Sequence, residues 1–486
     1  MQQVEWDDVQ GLVLTGYPRL PKAAYILWRM VPGEAQKAKQ WLGNLAGRVK
    51  AAAPIGFEPE DKAINIALSE GALTKLGIDP QERARFSVEF LDGMAPLPPP
   101  QSTHTVSRRS SQLGDVGGNA PDGWLWGGPS RNTEIDGVLL VYAKEKALDE
   151  LIDSECRLMT GVEVLHCADT SKPLILKAYS RGDRKEHFGF RDGISQPFIM
   201  GTPAANALSA KQARFDAVKP GEFILGYDGE REDSLGAKPA AGAAQRGRVP
   251  PRDLLRNGTY LVFRHLEQNV AAFEQFVADA AMKVHGKDDQ PSREWVAARL
   301  IGRWRSGHPL VDPPFAEKEN SSARRPRNDF LYHHEDRFGL ACPIGSHIRR
   351  ANPRDALGPD PDTSLRLSKM HRIIRRGRLY GPDGVRNGAD NGENAQGTRG
   401  IYFICVNADI ASQFELIQHT WLNNTHFGGL YDERDPLVNN RDGEGVMTIQ
   451  QRPTNLRLEG LPRFVTVRGG AYFFMPGIAA LRALGT

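Results

Sequence analysis

Apolar and polar positions along the first half of the chain follow two periods, one typical of strands and one typical of helices. Short apolar runs predict β-strands at residues 11–17, 23–31, 63–69 and 136–144. Apolar side chains spaced by three or four positions predict helices at residues 32–52 and 145–159. Strands and helices in such short repeating units favour an α+β fold.

The same alternation of strands and helices is predicted in the second half of the chain. Each predicted strand runs directly into a predicted helix, at residues 258–266 with 267–284, 399–409 with 410–424, and 464–477 with 478–484. A chain of 486 residues also exceeds what one hydrophobic core usually supports. We therefore predict two similar domains, at residues 1–205 and 206–486.

Four stretches rich in glycine, proline and charged residues interrupt this pattern and are interpreted as long loops. They cover residues 95–123, 229–253, 312–329 and 381–400. Connections of this length are typical of lids or access-shaping segments when they are not disordered, and the sequence leaves both readings open.

Composition places the chain among ordinary globular proteins. Apolar residues make up 40% and charged residues 25% of the chain. The 62 basic and 59 acidic side chains leave a formal net charge of +3. This balance gives no reason to expect nucleic acid or a membrane as a partner.

The sequence favours a cytoplasmic location. No apolar run approaches the roughly 18 residues that a membrane span needs, and the N-terminus lacks the apolar region of a secretory signal. The four cysteines, Cys156, Cys167, Cys342 and Cys405, show no CxxC pair. This spacing favours buried free thiols in a reducing compartment.

The segment EHFGFRDGISQP, at residues 186–197, displays a carboxylate on a bend. Asp192 stands directly before Gly193, with Phe188 and Phe190 just upstream. An aspartate in such a place either caps a turn through local backbone amides or presents an acid in a dry aromatic pocket. Taken alone, the segment leaves both interpretations open.

Two further segments concentrate histidine and arginine. In CPIGSHIRRANPR, at 342–354, His347 precedes three arginines. The segment is either a basic surface loop, or His347 is a metal ligand and one or two of the arginines neutralise the carboxylates of a cofactor. KMHRIIRRGRLYGPDG, at 369–384, is typical of either a solvated charged face or a strand that delivers an arginine into a pocket. The chain contains no GxxxxGK[ST], HExxH or GxSxG motif and no clustered zinc ligands.

In this order, the three segments resemble those of the dye-decolourising peroxidases, a haem peroxidase family, in its larger, non-secreted branch. GFRDG, at 189–193, matches the GxxDG signature, and the segments at 342–354 and 371–381 resemble the proximal-histidine and distal-arginine segments. The resemblance extends through 399–424 and covers most of the second half of the chain. It implies two ferredoxin-like α+β domains, with antiparallel sheets and packed helices, and haem bound mainly by the C-terminal one.

The resemblance implies that His347 is the axial ligand of the haem iron, with Asp192 and Arg375 on the peroxide-binding side. Asp192 would be the acid–base group, with a pKa raised by its dry surroundings. Arg375 would stabilise charge on the departing oxygen, and it is preferred over Arg376 because two apolar residues precede the family's arginine. Gly377 stands where family members often carry a polar residue.

A ligating histidine usually donates its other ring N–H to an acid, and Asp435 is the candidate implied by the resemblance, with Asp409 as the alternative. Arg354 and Arg349 are the candidates for binding the haem carboxylates.

In the GxxDG segment, Gly189, Phe190 and Gly193 would bring the backbone close to the porphyrin and keep the pocket dry. Tyr380 and Trp421 are candidates for a radical relay between a surface donor and the haem, and both are equally consistent with core packing.

The resemblance implies one haem b per chain. The activity would be reduction of hydrogen peroxide and oxidation of phenolic, dye-like or other one-electron donors through a high-valent iron intermediate. A haem-handling protein without significant peroxidase turnover and a haem-free binding module are the alternatives. The sequence leaves open the physiological donor, homo-oligomer formation and packaging in a larger shell.

Overall fold

The computed structural model describes residues 3–53, 61–96, 107–129, 134–167, 171–231, 253–312, 326–358, 360–382, 385–386, 389–390, 398–438 and 443–485. The elements predicted from the hydrophobic pattern follow one another in the expected order, except at residues 11–17, and further helices and strands lie between them. None of the helices in these ranges is long and apolar enough to cross a membrane.

The first half of the chain contributes the strands β1 (Lys22–Met30), β2 (Lys62–Leu68), β3 (Gly137–Ala143), β4 (Val162–Val164), β5 (Ile175–Tyr179) and β6 (Phe198–Ile199). The second half contributes β7 (Ala217–Val218), β8 (Thr259–Gln268), β9 (Ile374–Arg375), β10 (Arg378–Tyr380), β11 (Val385–Arg386), β12 (Ala389–Asp390), β13 (Gly400–Asn407), β14 (Gly445–Ile449), β15 (Leu456–Leu461) and β16 (Val465–Met475).

The helices of the first half are α1 (Ala35–Ala46), α2 (Glu70–Lys75), α3 (Pro80–Arg83), α4 (Val88–Asp92), α5 (Arg108–Leu113), α6 (Leu148–Leu158) and α7 (Pro203–Asn206). Those of the second half are α8 (Ala210–Asp216), α9 (Val270–His285), α10 (Gln290–Ile301), α11 (Tyr332–Glu335), α12 (His347–Ala351), α13 (Pro361–Met370) and α14 (Ile478–Leu484). Two π-helical segments follow β13, at Ala411–Glu415 and Ile417–Leu422. Short 3-10 turns lie at Gly11–Val13, Gly117–Asn119, Pro121–Gly123, Glu145–Ala147, Pro220–Glu222 and Phe427–Gly429.

Each half of the chain builds an antiparallel unit with the same strand order. The order is β5–β1–β3–β2 in the first half and β16–β8–β13–β9 in the second, where β10 also pairs with β13. Counted along the chain within each unit, the strands lie in the order 4-1-3-2. In both units a helix follows strand 1 and another follows strand 3. This is the ferredoxin-like arrangement, so the predicted α+β fold is confirmed.

The two units join at both edges, which closes their strands into a ring. β2 pairs with β16, and β5 pairs with β10. Inside the ring, Tyr25 of the first unit makes edge contacts with Phe263 and Tyr402 of the second, at centroid distances of 5.2 and 5.8 Å. The units therefore share a packed core, and the division at residue 205 stays a prediction.

Most of the predicted elements are present, but the predicted strand at 11–17 is wrong. Gly11–Val13 form a 3-10 turn. The side-chain amide of Gln10 donates to the carbonyls of Ile66 and Pro476, at 2.9 Å each, and accepts the N–H of Ile66 at 3.0 Å. Side-chain bonds thus fix this segment against β2, and its apolar residues reflect burial in the core rather than strand pairing.

A glycine lets two helices beside the site approach each other closely. α10 begins where the Asp289 carboxylate accepts the N–H of Ser292 at 3.0 Å, and it ends at Gly302, with φ +102°. A Cβ atom at position 302 would lie 2.4 Å from Cγ1 of Ile348. Only glycine permits both this φ and this approach. The contact fixes α12, the helix that starts at His347.

His265 of β8 is a buried imidazole whose side chain packs inside the ring. Its Nδ1 accepts the Nε1–H of Trp126 at 3.3 Å. Burial, with a smaller effect from Arg468, lowers the pKa of His265 from 6.5 to about 3. The imidazole is therefore neutral in the folded chain at neutral and mildly acidic pH.

This lowered pKa predicts a stability cost at low pH. Protonation favours the unfolded chain once the pH falls below the unfolded pKa of His265, so the stabilisation is complete above about pH 6.5 and is lost towards pH 3. Relative to His265→Gln, which keeps an acceptor for Trp126, we expect the protein to lose about 1 kcal/mol of unfolding free energy per pH unit below about pH 6. Urea denaturation between about pH 7 and 5 measures this difference, and parallel pH profiles would contradict it.

Candidate active site

A cavity of about 330 Å³ lies between the sheet of the second unit and helix α12. Leu266, Ile401 and Phe403 of β8 and β13 form its sheet side. His347 and Ile348 of α12 contribute to the facing wall. The size and the largely apolar lining are typical of sites for small molecules and cofactors.

Asp192 and Arg375 meet at this cavity. Nη1 of Arg375 donates to Oδ1 of Asp192 at 2.8 Å, and the backbone N–H of Gly193 donates to the same oxygen at 2.6 Å. About half of the Asp192 side chain (52%) and a third of Arg375 (32%) remain accessible, and both line the cavity. The fold thus brings together two predicted residues that lie 183 positions apart.

Glu186 holds the loop that carries Asp192 in shape. Its carboxylate accepts the backbone N–H groups of Phe188 at 2.9 Å and Phe190 at 2.8 Å, and Nε2 of Gln268 donates to it at 2.6 Å. Both phenylalanines line the cavity, as predicted for a dry pocket. Glu186 is therefore a positioning residue for the acidic bend.

The two glycines of the GxxDG segment shape the bend. Gly189 and Gly193 have φ values of +89° and +76°, which favour glycine. They do not line the cavity, unlike Phe190 and Asp192. The φ values support a conformational role for both glycines, and their approach to a cofactor stays a prediction.

The pKa of Asp192 lies below its ordinary value, so the predicted increase is wrong. Burial raises the pKa of this carboxyl, but the charge of Arg375 and the hydrogen bonds from Gly193 and Arg375 outweigh it. The carboxylate is therefore ionised at neutral pH. In the same loop, burial raises the pKa of Glu186 despite its three hydrogen bonds.

A reciprocal pair of hydrogen bonds ties the acidic bend to the strand of Arg375. Nε2 of Gln196 donates to the Arg375 carbonyl at 3.0 Å, and the Arg375 N–H donates to Oε1 of Gln196 at 3.1 Å. Gly377, two positions later, also borders the cavity, and a Cβ atom there would lie 2.6 Å from the carbonyl oxygen of Tyr402. Close approach of β13 therefore excludes a third polar side chain at this position.

His347 starts helix α12, and its Nδ1 lies 2.9 Å from Oδ2 of Asp435. The other oxygen of Asp435 accepts the N–H groups of Leu437 at 2.9 Å and Val438 at 3.0 Å, so the carboxylate is fixed. Burial lowers the pKa of His347, but the charge and hydrogen bond of Asp435 outweigh it and raise this pKa. With Nδ1 engaged, Nε2 is the ring nitrogen available to a ligand in the cavity.

Asp409, the alternative acid, has a different structural role. Its Oδ1 accepts the N–H of Ser412 at 2.9 Å, at the start of a π-helical segment. Of the two candidate acids, the structure places Asp435 beside His347.

Arg350, one turn after His347, fixes the segment that carries Asp435. Its fully buried guanidinium donates to the carbonyls of Trp421 at 3.0 Å, Asn424 at 2.9 Å and Glu433 at 2.8 Å. Arg350 thus binds the chain at both ends of residues 421–433, the stretch that leads from the π-helical segment to Asp435.

Two buried arginines at the cavity wall have no carboxylate partner among the described residues. Arg354 donates to the carbonyls of Asn328 and Phe330, and Arg303 donates to the carbonyl of Gly307. Both guanidinium groups also donate to Oδ1 of Asn328, at 2.7 and 2.8 Å. Burial lowers the pKa of Arg303 to about 10, so it remains charged at neutral pH. Adjacent cations in a dry wall favour a ligand with two negative charges.

Arg349, the other arginine predicted to bind carboxylates, is used elsewhere. Its guanidinium donates to Asp336 Oδ2 at 3.2 Å and to the Cys342 carbonyl at 2.8 Å, and it lies over the ring of Tyr332. The side chain is buried and does not line the cavity. This placement corrects the prediction for Arg349, whereas Arg354 does reach the cavity wall.

Neither relay candidate lies on the surface. Tyr380 is buried inside the ring and stacks on Tyr402, with centroids 4.5 Å apart. Trp421 is buried in the cavity wall, edge-on to His371 at 5.4 Å. Both placements are consistent with core packing, and a redox role for either ring stays a prediction.

Sequence reasoning missed Glu186, Gln196, Arg303 and Arg350. The first two flank the GxxDG segment, and an acid or amide on each side of a bend is a usable signal for local hydrogen bonds. Arg303 lies in a stretch without a motif, and Arg350 is one of three arginines in its segment. Only the folded chain distinguishes their roles.

No protein-family model matches the chain. The "Dye-decolorizing peroxidase" of Mycena epipterygia is 29% identical over 454 residues, which cover 87% of this chain and 76% of that protein. The "Multifunctional dye peroxidase DyP2" of Amycolatopsis sp. is 29% identical over 463 residues, covering 93% and 90%. The structure of a dye-decolorizing peroxidase in complex with 2,6-dimethoxyphenol covers 100% of both chains, with 25% identity and a TM-score of 0.74.

The two sequence relatives match most of the chain, and the solved structure shares the overall fold of the two joined ferredoxin-like units described above. Over most of its length the chain is similar to proteins of the dye-decolourising peroxidase family.

Proposed function

We propose that this chain is a haem-dependent peroxidase that reduces hydrogen peroxide and oxidises phenolic, dye-like or other one-electron donors. The observation that carries this proposal is the convergence of the Asp435-supported imidazole of His347 and the Asp192–Arg375 pair on one largely apolar cavity. The peroxidase names of the relatives support it and do not favour haem handling without turnover.

The residues at the cavity fit haem b, with one haem per chain. Among the residues that the structure describes, no three His, Cys, Asp or Glu side chains are grouped to hold a bare metal ion. A single available imidazole nitrogen instead suits an iron that brings four porphyrin nitrogens with it. Arg303 and Arg354 would hold the two haem carboxylates. When bound, the iron supplies the two-electron reduction of the peroxide.

The chain's own groups would prepare and direct that reaction. Asp435 holds the His347 ring by its Nδ1 and makes Nε2 a stronger donor. The ionised carboxylate of Asp192 would take a proton from one oxygen of hydrogen peroxide and return it to the other, so that water can leave. Arg375 would keep a fixed positive charge beside the oxygen that gains negative charge.

The proposal also covers the electron donor and the cellular location of the protein. A relative has been solved with 2,6-dimethoxyphenol bound, which supports phenols as donors. All four cysteines are free thiols, which supports the proposed cytoplasmic location. The larger non-secreted branch, homo-oligomer formation and a relay through Tyr380 or Trp421 remain predictions.

The proximal pair is tested by haem binding and by the iron potential. We expect His347→Ala to abolish the histidine-ligated spectrum of haem-loaded protein, because Nε2 is lost. Asp435→Asn should keep the haem but raise the iron reduction potential, because a neutral amide makes the imidazole a weaker donor. Absorption spectra and redox titration measure both outcomes.

The control for this pair is Asp409→Asn, since Asp409 does not line the cavity and caps the start of a π-helical segment. An Asp435→Asn protein with the wild-type potential would contradict the role assigned to Asp435.

The distal pair is tested by rapid mixing of haem-loaded protein with one equivalent of hydrogen peroxide. We expect Arg375→Leu to slow the first absorbance change by about 10² to 10³-fold, because a preorganised charge is lost. Asp192→Asn should slow it less.

The control is Arg366→Leu, on the exposed face of α13. Arg376→Leu is unsuitable, because the guanidinium of Arg376 donates to the carbonyls of Leu12 and Val13. Equal rates in the wild type and Arg375→Leu would contradict the assignment.

The arginine pair is tested with haem whose carboxylates are esterified. In Arg303→Gln or Arg354→Gln, we expect transfer of haem to apomyoglobin to be about tenfold faster, because a charge-assisted bond is lost. The dimethyl ester of haem should leave the wild type quickly and be insensitive to either substitution. Equal sensitivity of haem and its ester to the substitutions would show that the arginines act only through folding.

A further inference from the structure

Most of the charges that line the cavity are compensated within the chain. Asp192 pairs with Arg375, and Arg264 pairs with Asp115. Arg372 pairs with Asp216 at 3.2 Å. These three pairs leave the cavity with no net charge from six side chains.

The remaining charged groups of the lining are Glu186, Arg303, Arg354 and Arg191. Glu186 is compensated by its three N–H donors, and the two buried arginines match the two carboxylates of the proposed haem. Arg191 is then the one cation of the lining left over, and it forms no salt bridge with any acid in the described part of the chain.

Arg191 and Arg303 both line the cavity and both adjoin Gly307. The backbone N–H of Arg191 donates to the Arg305 carbonyl at 3.2 Å, and the stem of its side chain borders Gly307, where a Cβ atom would lie 3.3 Å from Cδ of Arg191. Gly307 also accepts a hydrogen bond from Arg303 at 2.8 Å. Arg303 is buried, whereas Arg191 is only half-buried. Arg191 is thus the more solvent-accessible of the two arginines.

The stem of the Arg191 side chain borders Gly307, and no acid in the described part of the chain pairs with its guanidinium. Ile194 also borders position 307, with Cδ1 2.6 Å from a Cβ built there, so glycine at 307 makes room for both side chains. The neighbouring Arg305 is paired with Glu274 at 2.6 Å and does not share this role. A positioned cation at the rim of an apolar cavity attracts anions and can form a bidentate bond with a carboxylate or sulfonate.

We propose that Arg191 selects electron donors that carry a carboxylate or sulfonate, by binding that group at the rim of the cavity while the aromatic ring of the donor enters. This inference rests on the proposed peroxidase function and adds a substrate class to it. Arg191 takes part in donor binding and leaves the proton transfer to Asp192.

A matched pair of donors isolates the effect of Arg191. Syringate differs from 2,6-dimethoxyphenol only by one carboxylate, so the ratio of their kcat/KM values reports how that group is recognised. In Arg191→Gln we expect this ratio to fall about tenfold, and in Arg191→Glu to fall further, because a charge-assisted bond is lost and then replaced by repulsion. The wild-type preference should weaken at high ionic strength.

The control is Arg184→Gln, which removes one positive charge from an exposed side chain of the same loop that does not line the cavity. It should leave the ratio within about twofold of the wild type, since exposed charges are screened. Calorimetric binding of syringate to haem-loaded protein, without peroxide, gives a readout independent of turnover. Its Kd should rise about tenfold in Arg191→Gln.

Each result decides the inference. An unchanged donor ratio together with an unchanged Kd for syringate would overturn it. Faster haem loss from Arg191→Gln, with no change in the ratio, would show that Arg191 binds a haem carboxylate instead, and would also overturn it. A wild type that oxidises neither donor would refute the proposed function, while the calorimetric Kd values would still decide whether Arg191 recognises the carboxylate.

Discussion

The hydrogen bond between His347 and Asp435 is the interaction on which the account of this site depends. A buried carboxylate is costly unless it is bonded, and Asp435 is satisfied by the His347 ring together with two backbone N–H groups. The bond leaves one imidazole nitrogen free and turns it into a strong donor. Arg350 adds to this constraint because it fixes the chain on the approach to Asp435.

The closed ring of strands explains how distant parts of the chain reach this imidazole. The acidic bend follows the last strand of the first unit, whereas Arg375 lies on a strand of the second unit. Gln196 joins the two through paired hydrogen bonds, and Glu186 sets the shape of the bend. The site is therefore built across the junction of the units, and an independent first domain would carry Asp192 without its partner.

The sequence predicted the parts of the fold that depend on local pattern. The strands around Tyr25 and Phe263 and the helix after each were predictable, because their apolar periodicity reflects which face is buried. Residues 11–17 misled the prediction because most of their apolar side chains are buried in a 3-10 turn and the residues around it, next to Gln10, which is anchored by side-chain bonds. For residues 369–384 the sequence left a charged face and a strand open; Lys369 and Met370 end helix α13, and Ile374–Arg375 form a short strand.

At the site, the resemblance to the family identified which residues take part. Which charged groups pair with each other could be seen only in the folded chain. The resemblance identified Asp192, His347, Arg375 and Asp435, all of which lie at the cavity or beside it. It did not distinguish Arg349 from Arg354, since both follow the histidine and only their partners differ. The pKa of Asp192 was mispredicted for the same reason, because a partner 183 positions away outweighs the apolar neighbours in sequence.

The most direct test of the central claim is a crystal structure of the haem-loaded protein. The account predicts that Nε2 of His347 coordinates the iron while Nδ1 keeps its bond to Asp435, with Asp192 and Arg375 on the other face of the porphyrin. An iron bound by any other side chain, or a haem outside the cavity, would contradict the account.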